Sequence, residues 1–333
     1  MSQARYDVLG IGNAIVDVIT RAEDTFLRAH NIQKSGMTLI DEPRAESLYA
    51  AMGETVIASG GSAANTIAGL GSLGSRCAYT GKVRDDQLGA LFTSDIRRLG
   101  VHFPTGHATS GPSTARCLIV VTPDGERSMS TYLGACQQLG PADIDAEAVS
   151  AADVTYLEGY LWDPPAAKEA FRRAADIAHA AGRKVALTLS DSFCVDRYRS
   201  EFLDLMRTNR VDIVFANAHE IRSLYETADF ETAVACIRRD AGLAVVTRSE
   251  LGCLAATASE VVHVNAFPVS RIVDTSGAGD LFAAGFLHGF TKGFPHGDSL
   301  KLGAYAAAET IAQIGPRPPD GLKARAAAAG MRV

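Results

Sequence analysis

A chain of 333 residues, 47% of them hydrophobic and 21% charged, has the apolar content of a soluble, enzyme-sized protein with a sizeable core. Its formal charge of -6 argues against a nucleic-acid partner, because phosphate contacts need clustered Lys and Arg and the basic residues here are scattered among acids. No run reaches the ~18 apolar residues of a membrane span, and the cysteines form no CxxC pair, so reduced thiols in a cytoplasmic protein are expected.

Tyr6 to Gly12, YDVLGIG, is a short apolar run ending in glycines, the form of a buried strand and turn. Asp7 and Asp17 interrupt this start and no cleavage pattern follows it, so it does not read as a targeting segment. Residues 14–59 differ in texture, with charged helical pieces and short strands such as Met37 to Asp41. Ser62 to Gly74 reads as a small-residue helix capped by Ser62, and Arg76 to Val83 as the next strand. Thr114 to Gly134 reads as a β-hairpin, since Pro123-Asp124-Gly125 is a turn signal between two strand-like runs.

From Asp153 onward the strand-like runs DVTYLEGY, KVALTLS, VDIVFAN and LAVVTRS alternate with the helical runs AAKEAFRRAADIAHAAG, FLDLMRTN and ETAVACIRRDAG. That alternation predicts an α/β fold of three layers, a mainly parallel central sheet with helices on both faces. The hairpin and residues 14–59 do not fit the alternation. We therefore expect 1–13, 60–110 and 134–333 to form a large domain, and 14–59 with 111–133 a small β-rich lid. The tail KARAAAAGMRV is expected to be loosely ordered.

Several motif matches fail on context. Gly69-Leu70-Gly71-Ser72-Leu73-Gly74 has the GxGxxG spacing of a dinucleotide loop but follows a helical stretch rather than a strand. Gly81-Lys82 lacks the Ser/Thr and the leading glycine of a Walker loop. No histidines fall at a zinc-ligand spacing.

Four features remain. Gly60-Gly61-Ser62-Ala63-Ala64-Asn65 brings two glycines to a helix start, either an ordinary capped entry or a backbone brought close to a polar ligand with Asn65 in reach of it. Asn217 ends a strand and Glu220 follows it, suited either to a helix cap or to hydrated magnesium at a strand's carboxyl end. Thr247 and Gly252 flank a small-residue turn where a nucleotide could lie on backbone. Asp274-Thr275-Ser276-Gly277-Ala278-Gly279-Asp280 precedes an apolar helix. Asp274 and Ser276 could cap that helix, or the amides of Gly277, Ala278 and Gly279 could hold an anion while Asp280 takes a proton from an attacking hydroxyl.

GGSAAN, the tetrad Asn217-Ala218-His219-Glu220 and DTSGAGDLFAAGF, in that order, resemble three motifs of the ribokinase-like, or PfkB, carbohydrate and nucleoside kinases. Within that family the chain is most similar to adenosine kinases, through GIGNAIVD (Gly10 to Asp17), LTLSDSF (Leu187 to Phe193) and AYAAAETIAQIG (Ala304 to Gly315). The resemblance implies transfer of the ATP γ-phosphate to a sugar hydroxymethyl, with Mg2+ and in some members a monovalent cation such as K+ near Asp274. It implies Asp280 as the base and Gly277 to Gly279 as the anion hole, with Arg127 approaching the phosphate from the lid. Asp17, Gly61 and Asn65 match residues that hold ribose hydroxyls, and Asn13, Met37, Leu39, Gly60, Leu133, Leu161 and Phe193 are carried to the same acceptor side. Phe193 matches an aromatic that stacks on the base. Asn217, Thr247, Ser249 and Gly252 fall on the nucleotide side, and Glu220, with Asn217, on the magnesium, through water.

Departures bear on the acceptor. Leu161 stands in place of an aromatic and Met37 in place of a Gln, and Ser249 replaces the first glycine of the nucleotide-side pair. The expected activity is phosphorylation of a purine nucleoside, adenosine first, at its 5′-hydroxyl, by a monomer or homodimer. A kinase of ribose, fructose or a sugar acid is the alternative in the same class. A ligand-binding regulator without catalysis is the alternative outside it.

Overall fold

The computed structural model describes residues 4–333. Strand β1 (Tyr6–Ile11) opens the larger sheet, and after a short turn β2 (Ile15–Arg21) enters a second one. The chain continues through α1 (Asp24–Ala29), β3 (Met37–Leu39), α2 (Glu42–Ala51) and β4 (Val56–Gly60), then α3 (Ser62–Leu73), β5 (Cys77–Thr80) and α4 (Gln87–Arg98). Strands β6 (Ala115–Val121) and β7 (Arg127–Tyr132) form the hairpin expected from Pro123-Asp124-Gly125, with Gly125 at φ 86° and Thr122 N–H donating to the Glu126 carbonyl at 3.0 Å.

The regular half follows: α5 (Ala146–Ser150), β8 (Ala152–Glu158), α6 (Pro165–Ala180), β9 (Lys184–Thr188), α7 (Ser192–Arg207), β10 (Ile213–Asn217), α8 (Ala218–Leu224), α9 (Phe230–Asp240) and β11 (Leu243–Thr247). An antiparallel pair, β12 (Cys253–Ala256) and β13 (Val261–Val264), ends the sheet, and α10 (Ala278–Thr291), α11 (His296–Ile311) and α12 (Leu322–Ala328) follow.

The larger sheet runs β13-β12-β11-β10-β9-β8-β1-β5, parallel from β11 to β5. Both faces are apolar, because successive residues of a strand point to opposite sides. Leu9, Val185, Leu187 and Val246 enter one core with α6, α7, α8 and α9, while Val8, Ala186, Phe215 and Val245 enter the other with α3, α10, α11 and α12. This is the three-layer arrangement predicted. The smaller sheet, β3-β7-β6-β2-β4, is mixed and takes its strands from both segments set apart on texture.

Three local expectations are corrected. The cap of α3 is Gly61, at φ 97°, and not Ser62, whose hydroxyl has another partner. Helix α7 begins ten residues before FLDLMRTN reads as helical, because Asp191 caps it by accepting from Cys194 N–H at 2.7 Å. The tail is ordered: α12 buries Leu322 and Ala326 in the core, and one buried Leu contributes about 1.5–3 kcal/mol.

Candidate active site

β1, β8, β9, β10 and β11 are parallel, and between β8 and β1 the order of connection reverses, which opens a crevice beyond their carboxyl ends. A cavity of about 310 Å³ lies at this end. Thr188, Asn217 and Thr247, the last residues of β9, β10 and β11, line it together with the start of α10 from Gly277 to Asp280. The strand-end placement expected of Asn217 and Thr247 and the anion-loop residues thus converge on one space.

Asp280 lies in the first turn of α10, and both its oxygens are held from α3. Oδ1 accepts from Ser62 Oγ at 2.6 Å and Oδ2 from Asn65 Nδ2 at 3.0 Å. Burial pushes its pKa up to about 6, against the pull of those two hydrogen bonds and the Arg317 charge. A carboxylate of that strength, beside the start of a helix, can take a proton near neutral pH. Helix hydrogen bonding starts with Leu281 N–H donating to the Gly277 carbonyl, so the amides of Gly279 and Asp280 stand ahead of the ladder at the positive end of the dipole.

Gly277, at φ 74°, is the cap of α10, so neither Asp274 nor Ser276 fills that position. The Asp274 carboxylate instead ties the loop together, accepting from Ser276 N–H at 2.9 Å, Gly315 N–H at 2.8 Å and Arg127 Nη1. Burial would raise its pKa, but these donors hold it below the ordinary carboxylate value. These three donors engage both oxygens of the carboxylate. Arg127, expected to approach the phosphate, is held here by Asp274, with Ser276 Oγ at 3.3 Å.

Asn217 caps α8. Its Oδ1 accepts from His219 and Glu220 N–H, while Glu220 accepts from Asn217 N–H at 2.9 Å and Asn217 Nδ2 at 2.5 Å. The capping reading left open by the sequence therefore describes these bonds, although both residues also line the cavity. Burial pushes Glu220 up to about 7. Among the described residues no three His, Cys, Asp or Glu side chains gather as a metal cage. Two cavity carboxylates, Glu220 and Asp280, fit a hydrated divalent ion arriving with phosphate better than an ion caged by protein.

Ser249 and Gly252 do not line the cavity but shape the turn after β11. Gly252, at φ 87°, could not carry a Cβ, which would lie 2.1 Å from the Val264 carbonyl oxygen. Ser249 occupies the left-handed region at φ 50°, which explains why glycine would suit that position.

Asn13, Asp17, Gly60 and Gly61 do not line this cavity. Asp17 is buried and its pKa rises to about 6, chiefly from burial, with Arg317 and Arg127 opposing and Asp280 adding to the rise. Gly60 packs on that carboxylate, and a Cβ on Gly61 would lie 2.3 Å from the Asn13 carbonyl oxygen. Asn13 donates from Nδ2 to Glu158 Oε1 at 2.7 Å. Of the residues expected around a base, Phe193 is 78% exposed, Met37 50% and Leu39 55%. Leu133 is half-buried before a 3-10 turn. Leu161 is 1% exposed, packs in the core with α6 and α7, and does not line the cavity.

Three participants were missed. Ser62 was read only as a cap. Glu158 ends β8, and an acid closing the apolar run TYLE was its visible signal. Arg317, half-buried, donates from Nε to the Ser59 carbonyl at 2.7 Å and from Nη1 to the Ala64 carbonyl at 3.2 Å, and nothing in IGPRPP marks it.

A model of the pfkB family of carbohydrate kinases matches residues 32–321. The chain belongs to that family. The adenosine kinase from Sinorhizobium meliloti, known from its crystal structure, is 58% identical, with 98% of this chain and 100% of the other covered and a TM-score of 0.91. A probable sugar kinase protein from Rhizobium etli CFN 42 is 56% identical, with 99% and 100% covered and a TM-score of 0.92. The adenosine kinase of Saccharomyces cerevisiae is 24% identical, with 93% of this chain and 96% of the other covered. The protein is a ribokinase-like phosphotransferase with an alcohol group as acceptor, and the family uses ATP with a divalent metal.

Proposed function

We propose that this kinase transfers the ATP γ-phosphate to the 5′-hydroxyl of a purine nucleoside, adenosine first, with Asp280 as general base. The observation that carries the reading is Asp280 itself, a carboxylate raised to about 6, oriented through both oxygens and placed where the cavity meets the start of α10. In this reading the acceptor hydroxyl approaches Asp280 from the side of Asn13, Asp17, Gly61 and Asn65. The amides of Gly277 and Gly279 receive the phosphoryl charge, while the Ala278 amide expected beside them donates to the Thr275 carbonyl at 3.3 Å. Glu220 and Asn217 would hold Mg2+ through its waters, and the ion would supply positive charge beside the phosphates. The likeness to adenosine kinases supports the nucleoside.

The sugar-kinase reading keeps one observation in its favour, the exposure of Phe193 and Met37 away from any base-sized apolar pocket. Turnover with Mg-ATP on adenosine, guanosine, inosine, ribose and fructose separates the two. Adenosine is expected to be the fastest acceptor. A free sugar phosphorylated faster overturns the nucleoside, and a Phe193→Ala enzyme with unchanged acceptor KM would point the same way.

A further inference from the structure

Glu158 is buried, and its two oxygens are divided between two elements of the acceptor side. Oε1 accepts from Asn13 Nδ2 at 2.7 Å and Oε2 from Ala63 N–H at 2.8 Å. The second bond serves as a helix cap. Gly61, at the cap position of α3, has no side chain to offer, and no larger residue fits because its Cβ would meet the Asn13 carbonyl. Gly12 is likewise kept bare by Glu158, whose Oε2 would lie 2.3 Å from an added Cβ. The Asn13 carbonyl is meanwhile fixed by Tyr79 Oη at 2.9 Å.

We propose that Glu158 is a positioning residue of the phosphoryl transfer: by bridging Asn13 and the first turn of α3, it sets which amide atom Asn13 presents to the acceptor and where α3 holds Ser62 and Asn65 against Asp280. Donation of Nδ2 to Glu158 leaves Oδ1 as the Asn13 side-chain atom without a protein partner among the described residues. Burial pushes Glu158 up to about 7, so the comparison belongs at pH 8 and above, where the ionised carboxylate only accepts and permits one orientation of the Asn13 amide, and a glutamine in its place permits the opposite one. The inference rests on the proposed function only in placing Asn13 beside the acceptor.

Glu158→Gln is the decisive variant. The substituted amide keeps an oxygen for the Ala63 N–H, and its nitrogen meets Asn13 donor to donor until the Asn13 amide turns over. The acceptor KM is then expected to rise about tenfold, the ATP KM to stay within about twofold and the melting temperature to hold. Adding Asn13→Asp restores an acceptor for that nitrogen and keeps the total charge, so acceptor KM should fall back toward wild type. The assay uses whichever alcohol the wild-type enzyme phosphorylates fastest, so the acceptor's identity tests the proposed function and the KM ratio tests Glu158. An unchanged acceptor KM in Glu158→Gln overturns the inference. So does an equal rise in both KM values, or a defect that the second substitution does not relieve.

Discussion

Arg127 donates from Nη1 to the Asp274 carboxylate, joining residues 147 positions apart and fastening the smaller sheet to the loop before α10. The side chains are 10% and 5% exposed, so the pair exists largely out of water. Its two ends are unequal. Without Arg127, Asp274 still accepts from Ser276 and Gly315; without Asp274, the guanidinium loses its counter-charge and keeps only Ser276 Oγ at 3.3 Å, and the Ser276 and Gly315 N–H groups lose their acceptor. Asp274→Ala should therefore cost about 3–5 kcal/mol and Arg127→Ala about 1–2 kcal/mol. Urea unfolding of both variants measures this, and equal losses would contradict the asymmetry.

Asp280, with a pKa of about 6, should lose its capacity to accept a proton below that pH. The acidic limb of kcat/KM is expected near pH 6, and Asp280→Asn should lower kcat by about 10²–10⁴. Stability runs the other way. The folded pKa is raised, so the group's contribution is complete below its ordinary value of 3.8 and lost as pH rises through about 6. Asp280→Asn should melt above wild type at pH 8, and an Asn enzyme both active and less stable would fail on each count.

The turn after β11 supplies a pair of opposite signs. Ser249 holds φ 50°, which costs an L-residue about 1–2 kcal/mol, part of it offset by the greater freedom glycine has when unfolded. Ser249→Gly should gain about 0.5 kcal/mol, while Gly252→Ala, with its Cβ against Val264, should lose about 2 kcal/mol or more. Denaturant midpoints for the two variants check both signs.

His288 is buried, with Nδ1 at 2.8 Å from Ser75 Oγ and Nε2 lacking a partner among the described residues. Burial, aided by the charges of Lys292 and Lys323 and opposed by Asp7, lowers its pKa to about 4 from 6.5. A depressed pKa gives stability that is present above 6.5 and lost as pH falls through about 4. The His288 share of that loss is about 3 kcal/mol. His288→Gln should flatten the decline in melting temperature between pH 6.5 and 4, and an unaltered slope would acquit His288.

The alternating half of the chain was legible because each strand is buried on two faces and each helix on one, which gives distinct periods. The loop from Asp274 to Asp280 was legible because small residues, a helix start and an acid fall together. The residues that brace the α3 start, which carries the donors to Asp280, were less so. Glu158 and Arg317 act across 95 and 253 residues, on Ala63 N–H and the Ala64 carbonyl, and local pattern carries no information at that range. The exposure of Phe193 was not legible for another reason: a motif position assigns it a neighbour, whereas exposure depends on what packs above α7. The tail was misread because its alanines look featureless, yet Leu322 is enough to dock α12.

Gly69 of α3 has no room for a Cβ beside Leu281 and Ala284 of α10, and Gly285 of α10 none beside Gly303 of α11. The helix bearing Asp280 is thus wedged between two others with almost no free volume, and the donors to Asp280 ride on one of them. Asp17, Met37 and Leu39 belong to the strands of the smaller sheet instead. In the proposed reading, the proton-transfer geometry sits on the wedged helices and part of the acceptor side on the strands, two separate mechanical parts. On that reading, substitutions in the strands would retune which alcohol is taken while the pairing of Asp280 with α3 stays in place.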